Sequence, residues 1–123
     1  MPFCELSTSV PKAKVDESFL KEFSQLLASI IGRPERRVTI QVNPDQIMMK
    51  AGSMEPVAVT EIHGNNPDYF TDAMREKWVA SLTSFLSDKL GITDHGRIIV
   101  SFHQKEPTHV GIFGKLISQR HSE

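Results

Sequence analysis

The sequence predicts an α+β fold in which two strand–helix–strand units join through one sheet and place both helices on the same side. Two observations support this prediction. Apolar residues recur at helical spacing over two long segments, and short segments of strand character flank each of them. The order also repeats, because residues 27–32 precede a polar linker and Val38 just as residues 86–91 precede a polar linker and Ile98.

The first unit begins with residues 3–8, which predict a short strand that stops before Pro11. A helix follows, which Asp16 caps and Gly32 ends. Its apolar stripe consists of Phe19, Leu20, Phe23, Leu26, Leu27, Ile30 and Ile31. Residues 38–42 alternate apolar and polar side chains, which indicates a strand with one buried face.

The second unit begins with a strand predicted at residues 57–62. Asn66 as cap and Pro67 in the first turn predict the start of a second helix, which ends at Gly91. Its apolar stripe consists of Phe70, Met74, Trp78, Leu82, Phe85, Leu86 and Leu90.

The fourth strand, predicted at residues 98–102, is apolar at the consecutive positions Ile98, Ile99 and Val100. Both of its faces therefore carry hydrophobic side chains. Two helices cover only one face of a sheet, and a second copy of the chain is the simplest cover for the other. We therefore expect a homo-oligomer.

Length and charge limit the classes of function. A chain of 123 residues fits one domain over residues 1–123, with a polar tail from about residue 118. A formal net charge of -1 predicts no binding to nucleic acid. No apolar run approaches the roughly 20 residues that span a bilayer, so no membrane association is expected.

The N-terminal segment lacks the basic and apolar regions of a secretory signal. The only cysteine, Cys4, forms no internal disulfide and suits a reducing compartment. We therefore expect a cytoplasmic protein, with secretion by a route without a signal peptide as the alternative.

Six short motifs occur in order along nearly the whole chain. They are Met1-Pro2-Phe3, Thr8-Ser9-Val10-Pro11, Gly32-Arg33-Pro34, Pro44-Asp45-Gln46, Gly52-Ser53-Met54-Glu55-Pro56 and Val110-Gly111. Each is weak alone, but in this order and spacing they resemble the macrophage migration inhibitory factor and D-dopachrome tautomerase family. The resemblance implies a four-stranded mixed sheet with two helices on one face, and a homotrimer in which three sheets surround a central channel.

The resemblance also implies a catalytic role for Pro2. Removal of Met1 would leave Pro2 with a free secondary amine, and a model α-amino group titrates near about 7.7 to 8.0 before burial lowers its pKa. Pro2 would then be the general base and acid of a cofactor-free keto–enol tautomerase that acts on a phenylpyruvate-like or dopachrome-like keto acid. Taken alone, a proline at this position would more simply begin an edge strand.

The resemblance implies further substrate-binding residues. Arg33 stands where the family usually has lysine, and it either binds the substrate carboxylate or only stabilises the end of the first helix. Arg37 is basic as in the dopachrome enzyme, and Asn65 would offer its backbone N–H to the substrate. The aliphatic pocket wall would consist of Ile99, Val110 and Ile112.

A function of another class stays open. Ile99 and Ile112 replace aromatic residues of migration inhibitory factor, so the pocket differs from that of the factor itself. The alternative is a secreted, cytokine-like protein that binds a cell-surface receptor and has weak or vestigial catalysis. The arginines of residues 33–37 have no interleaved aromatic residues, which argues against nucleic acid.

The histidines are expected to be surface residues of loops and of the tail, and they are His63, His95, His103, His109 and His121. No zinc spacing, phosphate loop, dinucleotide fingerprint or nucleophile elbow occurs in the chain. We therefore expect neither a metal nor a cofactor.

Overall fold

The computed structural model describes residues 2–120 and is built on a four-stranded sheet with strand order β2-β1-β3-β4. Its strands are β1 (Pro2–Thr8), β2 (Thr39–Asn43), β3 (Ala58–Gly64) and β4 (Ile98–Gln104). β1 runs parallel to β2 and antiparallel to β3, and β3 runs parallel to β4. The predicted α+β class and mixed sheet are confirmed.

Two helices connect the parallel strands. α1 (Glu17–Ile31) leads from β1 to β2, and α2 (Asp72–Leu90) leads from β3 to β4. As predicted, Asp16 caps α1 by accepting a hydrogen bond from a backbone N–H at 2.8 Å, and Gly32 closes it at φ 66°. Within residues 2–120, neither helix has the length and apolar character required to cross a membrane.

The core lies between these helices and one face of the sheet. Phe19 and Phe23 of α1 pack against Phe85 of α2, with ring centroids 5.6 and 5.5 Å apart. Both helices therefore cover the same face, as predicted. Other large side chains that are fully buried there are Leu6, Leu27, Ile62, Trp78, Leu82 and Leu86.

The prediction that Asn66 and the proline after it open the second helix is wrong. Asn66 caps a short 3-10 turn over Pro67–Phe70, and Thr71 is the N-cap of α2. The turn brings aromatic side chains into the core, where the indole Nε1 of Trp78 donates to the carbonyl of Tyr69 at 2.9 Å. Packing of these aromatic residues thus places the helix start one turn later than the first capping signal.

The face of the sheet opposite the helices, here called the open face, carries the half-buried side chains of alternate residues. β1 contributes Glu5 between Phe3 and Ser7, and β3 contributes Glu61 between Val59 and His63. Ile99 of β4 is also on this face and is 40% exposed. The apolar character predicted from β4 alone therefore applies to one end of this face, because β1 and β3 add carboxylates and a histidine.

The loop between β2 and β3 is held by one buried arginine. Arg97, which is 6% exposed, donates hydrogen bonds to the carbonyls of Lys50 at 3.0 Å and Ser53 at 3.1 Å. It also donates to the carbonyls of Glu55 at 2.7 Å and Pro56 at 3.0 Å. Four main-chain oxygens therefore accept hydrogen bonds from a single side chain.

A small hairpin that the sequence analysis missed follows the sheet. It pairs β5 (Gly111–Ile112) with β6 (Lys115–Leu116) through a two-residue turn whose φ angles are 55° and 75°. The predicted polar tail begins in a 3-10 turn over Ile117–Gln119, whose isoleucine is buried. His121 and the remainder of the tail lie outside the described residues.

Candidate active site

Pro2 lies at one end of the sheet, where its side chain is buried. It stands opposite Gly64 at the end of β3. The chain leaves α1 at the same end, because β2 begins at Thr39, which pairs with Phe3. The arginines of residues 33–37 therefore lie near the end of the sheet that holds Pro2. Met1, whose removal would free the Pro2 amine, lies outside the described residues.

A cleft of about 290 Å³ opens at this end of the sheet, and it is lined by Phe3 and Gly64, the neighbours of Pro2 in the sheet, but not by Pro2 itself. Its walls bring together two of the predicted site residues, Asn65 and Val110. They also include Phe3, His63 and Lys105, which the sequence analysis did not assign to the site. Lys105 follows the last residue of β4, and its place in the cleft depends on the pairing of β3 with β4.

Asn65 is buried, with 5% of its surface exposed. Its side-chain oxygen Oδ1 has no hydrogen-bond partner among the described residues. A buried acceptor without a partner costs free energy. The sequence analysis considered only the backbone N–H of this residue.

A second cleft of about 210 Å³ lies on the other side of β5. It brings Arg37 and Ile112 together with two further guanidinium groups, those of Arg36 and Arg120. Arg33 does not line either cleft. It is exposed, and its Nη1 is 3.5 Å from the carbonyl of Gly32, a position that suits a cation at a helix end.

Ile99 lies at the opposite end of the sheet. It pairs with Val59, whereas Pro2 pairs with Gly64, five positions further along β3. At about 3.3 Å per residue, roughly 17 Å separates these two rows. A single chain therefore does not bring Ile99 to Pro2.

The prediction that the histidines lie on loops is wrong for His63 and His103. β3 and β4 extend to residues 64 and 104, so these two residues pair in register and their rings stack with centroids 4.6 Å apart. Burial, and then the nearby His103 and Lys105, lower the pKa of His63. Its ring is therefore neutral at pH 7. His95 and His109 lie in exposed 3-10 turns, as expected for surface residues.

The family model described as Macrophage migration inhibitory factor (MIF) matches residues 1–118. The chain belongs to the MIF family. It is 32% identical to macrophage migration inhibitory factor of Rattus norvegicus over 111 residues, which cover 90% of this chain and 94% of that protein. It is 30% identical to D-dopachrome decarboxylase of Gallus gallus over 112 residues, covering 90% and 92% of the two chains.

Solved structures of MIF proteins have the same fold. The factor from Trichinella spiralis superposes with a TM-score of 0.84 at 25% identity, over 93% of this chain and 98% of that one. The homologue from Prochlorococcus marinus gives a TM-score of 0.84 at 23% identity, over 94% and 98% of the chains. The resemblance found in the sequence is confirmed, and membership of the MIF family supports an isomerase-type activity in general terms.

Proposed function

We propose that the protein is a cofactor-free keto–enol tautomerase of phenylpyruvate-like or dopachrome-like keto acids, with Pro2 as general base and acid. The position of Pro2 is the main support. It is buried at the end of β1, and its neighbours Phe3 and Gly64 form walls of the 290 Å³ cleft. β1 is an inner strand between β2 and β3, so the simpler alternative that Pro2 begins an edge strand does not apply.

Removal of Met1 converts the Pro2 nitrogen from an amide into a secondary amine. Burial disfavours the charged form of such an amine, so it is free to take a proton from the carbon next to the substrate keto group. The electron pair of that C–H bond forms the new C=C bond while the C=O π pair moves onto the keto oxygen, and the protonated Pro2 amine returns its proton to that oxygen to give the enol.

The substrate carboxylate needs a cation at the cleft. Lys105 lines the same cleft as Asn65 and Val110, so we assign it this contact. If the substrate carboxylate extends into the second cleft, Arg37 binds it there, beside Ile112. Arg33 keeps the helix-end role that its contact with Gly32 indicates.

We further propose that the protein acts as a homotrimer. Val59 and the exposed Ile99 on the open face, and Phe113 at the hairpin tip, which is 82% exposed, are apolar surfaces that a second copy would cover. A head-to-tail contact would also bring Ile99 of one copy towards Pro2 of the next, which one chain cannot do. Sedimentation at micromolar concentration tests this proposal, and a stable monomer would contradict it.

The test of the mechanism is the replacement of Pro2 by glycine in protein whose intact mass shows that Met1 is absent. We expect kcat/KM for hydroxyphenylpyruvate to fall by about 100-fold or more, the usual contribution of a general base. Pro11→Gly, in an exposed turn, is the matched control and should keep full activity. Unchanged turnover by Pro2→Gly would exclude Pro2 as the base.

A second candidate function rests on the names of the relatives, several of which are macrophage migration inhibitory factors. The corresponding proposal is a cytokine-like protein that leaves the cytoplasm without a signal peptide and binds a cell-surface receptor. Folded Pro2→Gly protein separates the two functions. Inhibition of macrophage migration by this variant would support the receptor role independently of catalysis, and loss of the effect would tie it to Pro2.

A further inference from the structure

Three potential metal ligands converge on the open face, away from the buried side chain of Pro2. Glu5 of β1 stands directly opposite Glu61 of β3, and His63 is the next residue of β3 on the same face. One carboxylate oxygen from each glutamate and one ring nitrogen of His63 lie within 4.8 Å of one another. Glu61 and His63 belong to one strand and Glu5 to another more than fifty residues earlier, so the sequence shows no spacing for the complete ligand set.

We infer that Glu5, Glu61 and His63 bind one divalent first-row transition-metal ion of the Zn²⁺ type. An imidazole nitrogen with carboxylate oxygens is a ligand set that Zn²⁺ accepts, whereas Mg²⁺ and Ca²⁺ prefer oxygen ligands alone. Three protein ligands leave a fourth position for water.

The geometry requires only side-chain adjustment. Bonds from Zn²⁺ to nitrogen and oxygen of about 2.0 to 2.2 Å place tetrahedral ligand atoms roughly 3.4 Å apart. The separations here reach at most 4.8 Å. Both glutamate side chains are half-buried, so rotation about their side-chain bonds can close the difference without movement of the sheet.

The electrostatics of this cluster favour a cation. Carboxylates directly opposite each other on neighbouring strands repel and destabilise the pair. His103 lies 3.1 Å from Glu61, and Lys105 is a further basic group close enough to His63 to lower the pKa of its ring. A bound divalent ion would convert this repulsion into attraction.

Each glutamate is held by a neighbour that leaves its other oxygen available. The amide Nδ2 of Asn43 donates to Glu5 Oε2 at 3.1 Å. Nε2 of His103 lies 3.1 Å from Glu61 Oε1, and the hydroxyl of Ser101 lies 3.3 Å from the same nitrogen. Partners of this kind orient the ligands of metal sites, and their loss typically weakens metal binding about 10- to 100-fold.

The ring of His63 is fixed between two other rings. It stacks on Phe3 with centroids 5.7 Å apart and on His103 with centroids 4.6 Å apart. Its Nδ1 is shielded from solvent and has no hydrogen-bond partner among the described residues. The stacking therefore orients an imidazole whose Nδ1 forms no hydrogen bond within residues 2–120.

The experiment is a titration of tag-free, EDTA-treated full-length protein with Zn²⁺ by calorimetry, with Co²⁺ as a spectroscopic probe. We expect one ion per chain. Glu61→Gln and His63→Gln should each weaken Zn²⁺ binding by about tenfold or more, since a lost ligand costs at least as much as a lost outer partner. The matched controls Glu76→Gln and His95→Gln, both exposed and away from the cluster, should keep the affinity of the unchanged protein.

Circular dichroism of each variant verifies folding, and Glu5→Gln replaces Glu61→Gln if the latter does not fold. The inference is overturned if Zn²⁺ at 100-fold excess over protein does not bind, or if the ligand variants bind it as tightly as the controls. Mg²⁺ binding as tight as that of Zn²⁺ would overturn the assignment of His63. One ion per three chains would overturn a ligand set from a single chain.

Discussion

Nη2 of Arg97 donates a hydrogen bond to the carbonyl oxygen of Glu55 at 2.7 Å. The same guanidinium also binds the carbonyls of Lys50, Ser53 and Pro56. A guanidinium can donate in several fixed directions at once, whereas the ammonium of lysine is a compact charge. Arg97 directly precedes β4, so it fastens the long loop before β3 to the start of the neighbouring strand.

Arg97→Lys should lower the free energy of unfolding by about 2 to 4 kcal/mol, because a buried guanidinium is replaced and several of its hydrogen bonds to loop carbonyls are lost. Urea denaturation measures the change. The exposed Arg36→Lys is the matched control and should change stability by less than about 0.5 kcal/mol. Equal effects of the two substitutions would mean that the carbonyl contacts of Arg97 contribute no net stability.

The sequence offers little sign of this role. An arginine next to an apolar strand usually indicates an exposed charge, and only the fold shows that Arg97 is enclosed by a loop that begins more than forty residues earlier. The helices were more predictable, because their apolar periodicity and their caps are local features. Gly32 and Gly91 both end helices in the left-handed conformation, as the sequence indicated.

The candidate site was only partly predictable, for a related reason. Asn65 and Val110 lie in one cleft, but Lys105 and His63 join it only through the pairing of β3 with β4. The register between strands about forty residues apart is decided by tertiary packing. The periodicity of apolar residues along the sequence does not reveal it. Ile99 was assigned to the pocket by the family resemblance, and within one chain it lies at the opposite end of the sheet from Pro2.

Asn65→Leu should raise the free energy of unfolding by about 1 kcal/mol, because it removes a buried oxygen without a hydrogen-bond partner and keeps the side-chain shape. Asn66→Leu should act in the opposite direction. Its side-chain oxygen accepts from the N–H of Asp68 at 3.0 Å, and loss of such a cap typically costs about 1 kcal/mol. Thermal or urea unfolding of the two variants gives the signs, and destabilisation by Asn65→Leu would show that Oδ1 has a partner in solution.

Cys4 should resist alkylation in the folded protein. Burial raises the pKa of its thiol to about 12 from an ordinary value of 9.0, so at pH 8 the reactive thiolate is about 1000-fold scarcer than in the unfolded chain. Because the folded pKa is the higher one, this thiol favours the folded state up to about pH 9, and its contribution is lost as the pH rises towards 12. Iodoacetamide labelling followed by mass spectrometry, with and without urea, measures the difference. Rapid labelling without urea would contradict the burial of Cys4.

Gly32→Ala should cost about 1 to 2 kcal/mol in the free energy of unfolding, because φ there is 66°. A Cβ atom at this position would meet no atom within 4 Å, so the cost comes from backbone conformation alone. Gly32→Asn should cost less than Gly32→Ala, since asparagine enters the left-handed region more readily. Chemical denaturation compares the two variants, and the reverse order would show that the helix ends differently in solution.

The only tryptophan of the chain, Trp78, is fully buried, and its indole N–H is bound to the carbonyl of Tyr69. Its fluorescence emission therefore reports directly on whether α2 is docked on the sheet. The protein thus contains its own optical probe, located in the core and away from both clefts. Trp78 emission records the docking of α2 in unlabelled protein. Ligand binding in either cleft is then measured separately, for example by calorimetry.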